Sequence, residues 1–436
     1  RGQAMAGEGT VKLAIAGLGT VGAGTIALIE AQGELLAARA GAGVEVIAVS
    51  ARDRQRDRGV DLTRFEWWDD PVAMARESAS DVVIELIGGS DGVAKAVCEA
   101  AIESGRHVVT ANKALVAHHG TALARAADAA GVALGYEAAV AGGIPIIKAI
   151  REGLAGNRFT RVQGILNGTC NYILTEMRET GRAFEDVLAD AQSLGYAEAD
   201  PGFDVDGVDA AHKLAILASL AFGTEVDFAN VHVEGIRRIA PLDLEFAQEL
   251  GFKIKLLGIA DRTDEGVYQR VHPTMVAVDA PIAAIEGVTN AVETFGDFVG
   301  TTVLQGAGAG AGPTASAVIA DVLDIAAGRR APVFGVPADR LTPAMSQPMA
   351  GHVGSYYVRL RVIDRPGVIA DVTAVLRDNA VSMESIIQRG RDPEEPVDVV
   401  MTTHETTERA MQQVLAAIDG LDAVVEPPTL IRIEQG

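Results

Sequence analysis

Residues 200–213, DPGFDVDGVDAAHK, place four carboxylates, a histidine and a lysine within fourteen positions. Aligned as a calcium-binding EF-hand loop, with Asp204, Asp206 and Gly207 at the third, fifth and sixth positions, the run would need an acid at 202 and a glutamate at 213. It has Gly202 and Lys213 there, so that ligand set is excluded. Two readings remain. In one, Asp206 caps a helix, and Asp209 and Lys213, four residues apart, form an ordinary surface pair worth about 0.3–0.5 kcal/mol. In the other, the pair does chemistry. The helix beyond is almost wholly apolar, with Leu214, Ala215, Ile216, Leu217, Ala218 and Leu220. A charged pair at the mouth of a buried helix is not fully solvated. Upstream, Glu198, Asp200 and Asp204 add acids to a glycine- and proline-rich stretch. Carboxylates around a lysine suit an amino-acid substrate: the acids hold an ammonium, and the lysine handles an oxygen and its proton.

A second concentration of chemistry lies near the N-terminus. An apolar run at 11–16 leads into GLGTVG at 17–22, and a helical pattern continues to about residue 40. G-x-G-x-x-G between a strand and a helix is the context of a dinucleotide site. Gly17 permits the tight turn, and Gly19 lets backbone approach a pyrophosphate seated on the helix N-terminus. Leu18, Thr20 and Val21 complete the loop. The second strand ends in VSARDR at 49–54. Ser50 takes the place of the usual ribose-binding acid, and Arg52 is free to pair with a 2′-phosphate. NADP is therefore expected over NAD, although Asp53 could still serve NAD.

These residues need elements to position them. Apolar runs at 11–16, 44–49, 81–87 and 107–110 alternate with alanine-rich helical segments, which predicts an α/β unit with a parallel, doubly wound sheet over 1–150. Strands at 159–166, 252–260, 267–276 and 301–304, with helices near 171–179 and 208–222, predict an α+β substrate and dimerisation unit over 151–304. An amphipathic pattern at 313–328, within a returning segment 305–330, leads back to the first unit. Four of the sixteen prolines (Pro332, Pro337, Pro343, Pro348) mark a linker at 331–352. Residues 353–436 then read βαββαβ, a small ferredoxin-like unit. The linker predicts a tail that can be removed without breaking the core. Within that tail, Asp364-Arg365-Pro366-Gly367 lies between a strand and a helix. Asp364 could meet an ammonium there, and Gly367 could admit a carboxylate to the helix N-terminus.

A net charge of −22 argues against nucleic-acid binding and against docking on anionic membranes. Cys98 and Cys170 cannot build a disulfide framework, and a reducing cytoplasm is the expected home. No signal peptide is read at the start, and residues 1–5 are given no role. The uncharged run 298–320 carries five glycines and Pro313, so it is not read as a membrane span. His118-His119 lacks the spacing of a helical metal site. Cys170 in NGTCNY is a candidate thiol nucleophile only if a base lies beside it, and none is adjacent in sequence.

The run 191–213, AQSLGYAEADPGFDVDGVDAAHK, resembles the signature of homoserine dehydrogenases, A-x3-G-Y-A followed by D-P and D-x-x-G-x-D-x3-K. GLGTVG, TANKAL (110–115), EAAVAGGIPI (137–146), GILNGTCNYIL (164–174) and GAGAGAGPTASAV (306–318) agree with it over residues 11–330. The tail resembles an ACT domain. The resemblance implies interconversion of L-homoserine and L-aspartate 4-semialdehyde with NADP or NAD. It makes Lys213 the acid/base, with Lys113 assisting near the substrate oxygen and nicotinamide. Glu198, Asp204 and Asp209 would hold homoserine, while Thr110, Gly195 and Gly310 would touch the cofactor. Glu137 with the carbonyls of Val140, Gly142 and Ile144 would hold Na⁺ or K⁺. L-threonine would be the effector, in a homodimer or homotetramer serving threonine, methionine and isoleucine biosynthesis.

Overall fold

The computed structural model describes residues 9–389 and 395–434. Residues 1–5 and Gln435 lie outside them. The first unit is a six-stranded parallel sheet of β1 (Thr10–Ala16), β2 (Gly43–Ser50), β3 (Glu66–Trp68), β4 (Val82–Glu85), β5 (His107–Thr110) and β6 (Leu134–Gly135). Its order is β3-β2-β1-β4-β5-β6, so the winding reverses between β1 and β4. In open α/β sheets the ligand crevice opens at that switch point, beyond the carboxyl ends of the strands. Helices α1 (Thr20–Ala40), α2 (Pro71–Glu77), α3 (Val93–Glu103) and α4 (Lys113–Ala130) make the crossovers. The single turn α5 (Ile146–Lys148) leads out of the unit.

The second unit is built on β7 (Phe159–Ile165), β8 (His232–Val233), β9 (Phe252–Thr263), β10 (Gly266–Ala277), β11 (Thr289–Gly296) and β12 (Gly300–Ala307). Its helices are α6 (Gly168–Thr180), α7 (Phe184–Ser193), the one-turn α8 (Gly202–Val205), α9 (Val208–Phe222) and α10 (Pro241–Glu249). Sequence periodicity leaves β11, α7 and α10 unassigned. The pattern placed at 313–328 is α11 (Ala311–Ala326), and it returns to α1. The two helices approach so closely that a Cβ on Gly24 would lie 3.0 Å from the Ala311 carbonyl oxygen. Val318 and Val322 of α11 share one apolar cluster with Leu13 and Ile15 of β1. The uncharged run 298–320 is thus a turn, β12 and part of α11. No helix among the described residues is long and apolar enough to cross a membrane.

The C-terminal unit contains β13 (Val353–Ile363), α12 (Val368–Asp378), β14 (Met383–Gln388), β15 (Pro396–Thr403), a short β16 (Thr406–Thr407), α13 (Glu408–Asp419) and β17 (Thr429–Glu434). This is the expected βαββαβ order with β16 added. It is not a loosely tethered tail. β17 pairs in parallel with β10, matching Thr274 with Arg432 and Val276 with Glu434. Two units thereby share one sheet, β12-β11-β7-β9-β10-β17-β13-β15-β14.

Residues 331–352 are also packed down. Phe334 is buried, the Tyr136 hydroxyl donates to the Val333 carbonyl at 2.7 Å, and single bridges join Thr224 to Thr342 and Val267 to Ser346. Prolines remove helical periodicity and leave an extended backbone that still buries side chains.

Charge crosses the same seam. The fully buried Arg432 guanidinium donates to Glu408 of α13 and to Glu234 beside β8, at 2.6–2.9 Å. Arg270 of β10, equally buried, pairs with Asp261 at 2.5 Å and Glu434 at 2.7 Å. Arg359 of β13 donates to Asp243 of α10 at 2.7 Å. Removing one member of a buried pair strands the other charge, at a cost of about 3–5 kcal/mol.

A chain ended after Gln347 therefore exposes the β10 edge and leaves Arg270 and Glu234 short of partners. It is expected to aggregate or to melt well below the full chain. A truncated chain with an unchanged thermal midpoint and a monodisperse elution profile would show that the seam contributes nothing to stability.

Candidate active site

α9 carries Asp209 in its first turn and Lys213 one turn later, both buried. Asp209 Oδ2 accepts from Lys213 Nζ at 2.7 Å, and Oδ1 lies 2.9 Å from Lys113 Nζ. Lys113 opens α4, so the two ammonium groups reach one carboxylate from two different units. Lys213 Nζ also donates to the Leu166 carbonyl at 2.7 Å. Burial alone would raise the Asp209 carboxyl pKa, but the two lysines outweigh it and hold the group far below the carboxylate range. Lys113 is shifted up: burial works against its charge, and Asp209, then Asp204 and Glu198, overcome that.

Asn167, at the end of the strand that leads into α6, ties the acids together. Its Nδ2 donates to Asp209 Oδ2 at 2.9 Å and to Asp204 Oδ1 at 2.8 Å, while its Oδ1 accepts from Cys170 N at 2.8 Å and so caps α6. Sequence reasoning passes over Asn167, although an asparagine before a helix pattern is a cap signal. Asp204 stays raised, by burial and then by the neighbouring Asp209.

The remaining acids divide. Glu198 is exposed at the mouth and acts on Lys113 through space. Asp200 turns back onto Gly202 N at 3.2 Å. Asp206 is not the helix cap. That place belongs to Gly207, whose φ of +85° is a left-handed conformation costly for other residues, and Asp206 instead takes Arg237 at 2.5 and 3.2 Å.

An aromatic wall lines the same region. Phe203 sits 5.5 Å from Lys113 Nζ, and Phe203, Phe228 and His118 surround the ring of His212. Burial, with His118 beside it, lowers His212 to about 4. His119 bonds Asp91 at 2.8 Å, and no cluster of three metal-ligating side chains occurs among the described residues. The Cys170 thiol is fully buried and pushed up, by burial and then by Asp204 and Asp209. Those causes oppose the thiolate that a nucleophilic cysteine needs.

The glycine loop fits a dinucleotide. Gly17 has φ +104°, and a Cβ there would meet the Leu86 carbonyl at 2.5 Å. A Cβ on Gly22 would meet the Gly17 carbonyl at 2.2 Å, whereas one on Gly19 would find nothing within 4 Å. The loop is thus closed toward the protein and open at Gly19, as close backbone approach by a ligand requires. Leu18 lies in the turn, and Thr20 and Val21 open α1. Ser50 is buried at the end of β2, its carbonyl accepting from Gly17 N at 2.9 Å, and Arg52 beyond it is exposed.

Two further residues brace this crevice. Arg58 donates to the Leu18 carbonyl at 2.9 Å and the Asp53 carbonyl at 2.5 Å, fixing the loop after β2 to the glycine turn. In sequence it is one of several arginines in what looks like a solvated loop. Glu85, buried at the end of β4, accepts from Ile87 N at 2.7 Å, Gly88 N at 3.2 Å and Thr110 Oγ1 at 2.6 Å. Its signal is an acid that ends an apolar run. Thr110 is thereby committed to the crevice floor. Gly195 lies in the turn after α7, and Gly310 opens α11 with φ +120°.

Glu137, Val140, Gly142 and Ile144 share one tight loop. The Glu137 carboxylate accepts from Ile147 N and Lys148 N, both at 2.9 Å, and the Ile144 carbonyl accepts from Ile146 N at 2.7 Å. Burial, and then Asp321, raise Glu137 to about 7; burial raises Asp321 to about 6. In the C-terminal unit, Asp364 Oδ1 accepts from Gln388 Nε2 at 3.2 Å, and Gly367 opens α12 with no Cβ obstruction within 4 Å.

Three family profiles match the chain: "Homoserine dehydrogenase, NAD binding domain" over residues 17–137, "Homoserine dehydrogenase" over 145–323, and "ACT domain" over 356–423. A homoserine dehydrogenase of Pseudomonas aeruginosa is 46% identical over 434 residues, covering 98% of this chain and 99% of its own. One of Neisseria gonorrhoeae is 44% identical, covering 97% and 98%. The crystal structure of a homoserine dehydrogenase from Thiobacillus denitrificans superposes with a TM-score of 0.92 at 44% identity, covering 98% of this chain and 99% of that one.

Asn167→Asp keeps an acceptor for the α6 cap but replaces the bridging amide donor with an oxygen facing two carboxylates. At neutral pH the thermal midpoint should fall, because a third buried carboxylate then faces Asp204 and Asp209, and turnover should fall roughly a hundredfold, as displaced catalytic groups do. The deficit should shrink toward acid pH, where the new carboxyl is protonated and can donate. Wild-type turnover at neutral pH would show that the bridge is dispensable.

Proposed function

The chain belongs to the homoserine dehydrogenase family, and from that premise we propose that it interconverts L-homoserine and L-aspartate 4-semialdehyde through Lys213. It is an oxidoreductase acting on a CH–OH group, with a nicotinamide-binding unit and an ACT domain. The observation that carries the mechanistic reading is the clamp of Lys213 and Lys113 on Asp209.

An ammonium has three N–H donors. Lys213 spends two on Asp209 and the Leu166 carbonyl, leaving one for a substrate oxygen. In reduction Lys213 Nζ gives a proton to the nascent alkoxide; in oxidation the amine takes it from the hydroxyl. Lys113 donates to the same oxygen from the opposite wall, and Asp209 fixes both lysines. Asp204 and Glu198 supply negative charge for the substrate ammonium. A bound nicotinamide would supply or accept the hydride, held by Gly17, Leu18, Gly19, Thr20, Val21, Thr110, Gly195 and Gly310. Exposed Arg52, with Ser50 in place of the usual ribose-binding acid, favours the 2′-phosphate of NADP.

Lys213→Ala should lower kcat about a thousandfold, the range of a lost general acid, with cofactor binding nearly unchanged by fluorescence titration. A near-normal kcat would remove Lys213 from the mechanism.

Arg52→Ala should raise KM for NADP roughly tenfold, about one charge-assisted contact, and barely affect NAD. Equal changes for both cofactors would assign Arg52 a structural role.

The loop of Glu137, Val140, Gly142 and Ile144 is read as a Na⁺ or K⁺ site. The Glu137 carboxylate already caps the following turn, so the loop's carbonyls are the candidate ligands. The supporting observation is electrostatic: two buried carboxyls, both shifted up, would be relieved by a nearby cation. Activity at fixed ionic strength should be higher in sodium or potassium than in tetramethylammonium, and equal rates would argue against a functional ion.

The C-terminal unit is read as a sensor of L-threonine, with Asp364 and Gly367 as candidate contacts. Falling turnover in millimolar L-threonine is its observable. It would act in threonine, methionine and isoleucine synthesis.

A further inference from the structure

Glu85 ends β4, where the sheet order reverses, and it is fully buried. A buried carboxylate is costly unless its oxygens are bonded. Its bonds point two ways. Oε1 accepts from Ile87 N at 2.7 Å and Gly88 N at 3.2 Å, and Oε2 accepts from Thr110 Oγ1 at 2.6 Å. The first pair holds the loop 86–89, exposed at Ile87, Gly88 and Gly89, the two glycines having φ of +87° and +86°. The same loop lies against the glycine turn, since the Leu86 carbonyl is what a Cβ on Gly17 would strike.

The second contact runs toward a lysine of the site. Thr110 Oγ1 accepts in turn from Asn112 N at 3.0 Å. Asn112 Nδ2 donates to the Gly89 carbonyl at 2.7 Å, and its Oδ1 accepts from Leu115 N at 3.0 Å, capping α4. The residue after the cap is Lys113, whose Nζ meets Asp209. Glu85, Thr110, Asn112, Gly89 and Gly88 thus close a ring. One side of the ring is the crevice loop, and the other is the start of α4. Each bond that Glu85 contributes fixes a backbone amide or a hydroxyl at the crevice; none of them neutralises a cation.

We propose that Glu85 is a positioning residue for the reaction: it sets Lys113 and the loop 86–89 in one geometry. Fully buried, it reaches neither substrate nor cofactor, and it acts through Thr110 and Asn112. A carboxylate suits the place because it only accepts. An amide of the same shape has one acceptor oxygen, which can serve the two loop amides or the Thr110 hydroxyl but not both. The inference deepens the reading of Lys113 as a donor to the substrate oxygen and rests on it.

The test uses the full chain, with NADPH affinity measured by fluorescence titration and homoserine turnover measured separately. Glu85→Ala should free the loop and raise the NADPH Kd roughly tenfold, the scale of a lost charge-assisted bond. Glu85→Gln, its oxygen turned to the two loop amides, should restore that Kd to within about twofold of the wild type, while kcat stays roughly tenfold or more below it. Thr110→Val should lose kcat to a similar extent, and Thr110→Ser should recover it. Glu85→Gln combined with Thr110→Val should be no worse than the poorer single variant, since both act along one chain of bonds. Should Glu85→Ala not fold, the near-isosteric Glu85→Gln and Thr110→Val decide the matter. Multiplied losses in the double variant, or a lowered thermal midpoint with kcat and NADPH Kd unmoved, would overturn the proposal and leave Glu85 a packing residue, with the reading of Lys113 intact. A wild-type chain that binds NADPH but oxidises no homoserine would overturn that reading and this inference with it.

Discussion

A buried carboxylate between two ammonium groups governs the arrangement. Asp209 is nearly inaccessible, and an isolated charge there would be expelled or protonated. It remains ionised because Lys213 reaches it along α9 and Lys113 reaches it from α4. The second contact matters most for architecture. It joins the first turn after a strand of the parallel sheet to the first turn of a helix packed on the mixed sheet, so the charge balance of the site depends on how the two units meet. A change in that meeting costs the carboxylate a partner. The charge balance of the two lysines and the meeting of the two units are therefore coupled through one residue.

The same logic recurs at the other side of the mixed sheet. Arg432 and Arg270 are fully buried and each is held by two carboxylates contributed by different elements. Such pairs seldom add much stability relative to apolar packing, but they penalise every misaligned register heavily. The parallel match of β10 to β17 is short, and these charges define it. Glu234 extends the connection inward. The following Gly235 packs against Val205, with Ile236 N bonded to the Val205 carbonyl at 2.9 Å, next to the turn that carries Asp204. A physical path thus runs from β17 to the turn of Asp204 without leaving packed backbone.

Local signals were legible in the sequence. The glycine loop, the apolar stretch after Lys213 and the βαββαβ order of the tail each follow from spacing within some twenty residues, and each is present in the fold. What could not be read is long-range. Asn167 lies 42 residues from Asp209, and its part in the site depends on β7 delivering it beside α9. Arg58 and Glu85 look like a loop cation and a strand-end acid until the loops they brace are assembled. The separable tail was the natural expectation from four prolines, since nothing local announces that β17 will pair with β10. The helix cap assigned to Asp206 failed for a smaller reason: Gly207 takes the left-handed turn itself, and Arg237, thirty-one residues on, claims the carboxylate.

Glu137 and Asp321 extend the argument to pH. Burial raises both carboxyls, to about 7 and about 6, so the native chain retains protons that the unfolded chain has already released. Stability therefore falls with rising pH across the interval between ordinary carboxyl values, about 4, and those raised ones. The contribution is fully present below about 4 and lost as pH climbs through 6 and 7. A cation held by the neighbouring carbonyls would act in the opposite sense, favouring both carboxylates and lowering their folded pKa values. The loop between the nucleotide unit and the substrate unit is thus most dependent on a counter-charge near neutral pH. Lys148, which bonds Asp324 and the Ala320 carbonyl, supplies part of it. Arg151 adds to it at Asp321, and beyond these two residues a bound cation and a retained proton are alternatives that differ in sign with pH.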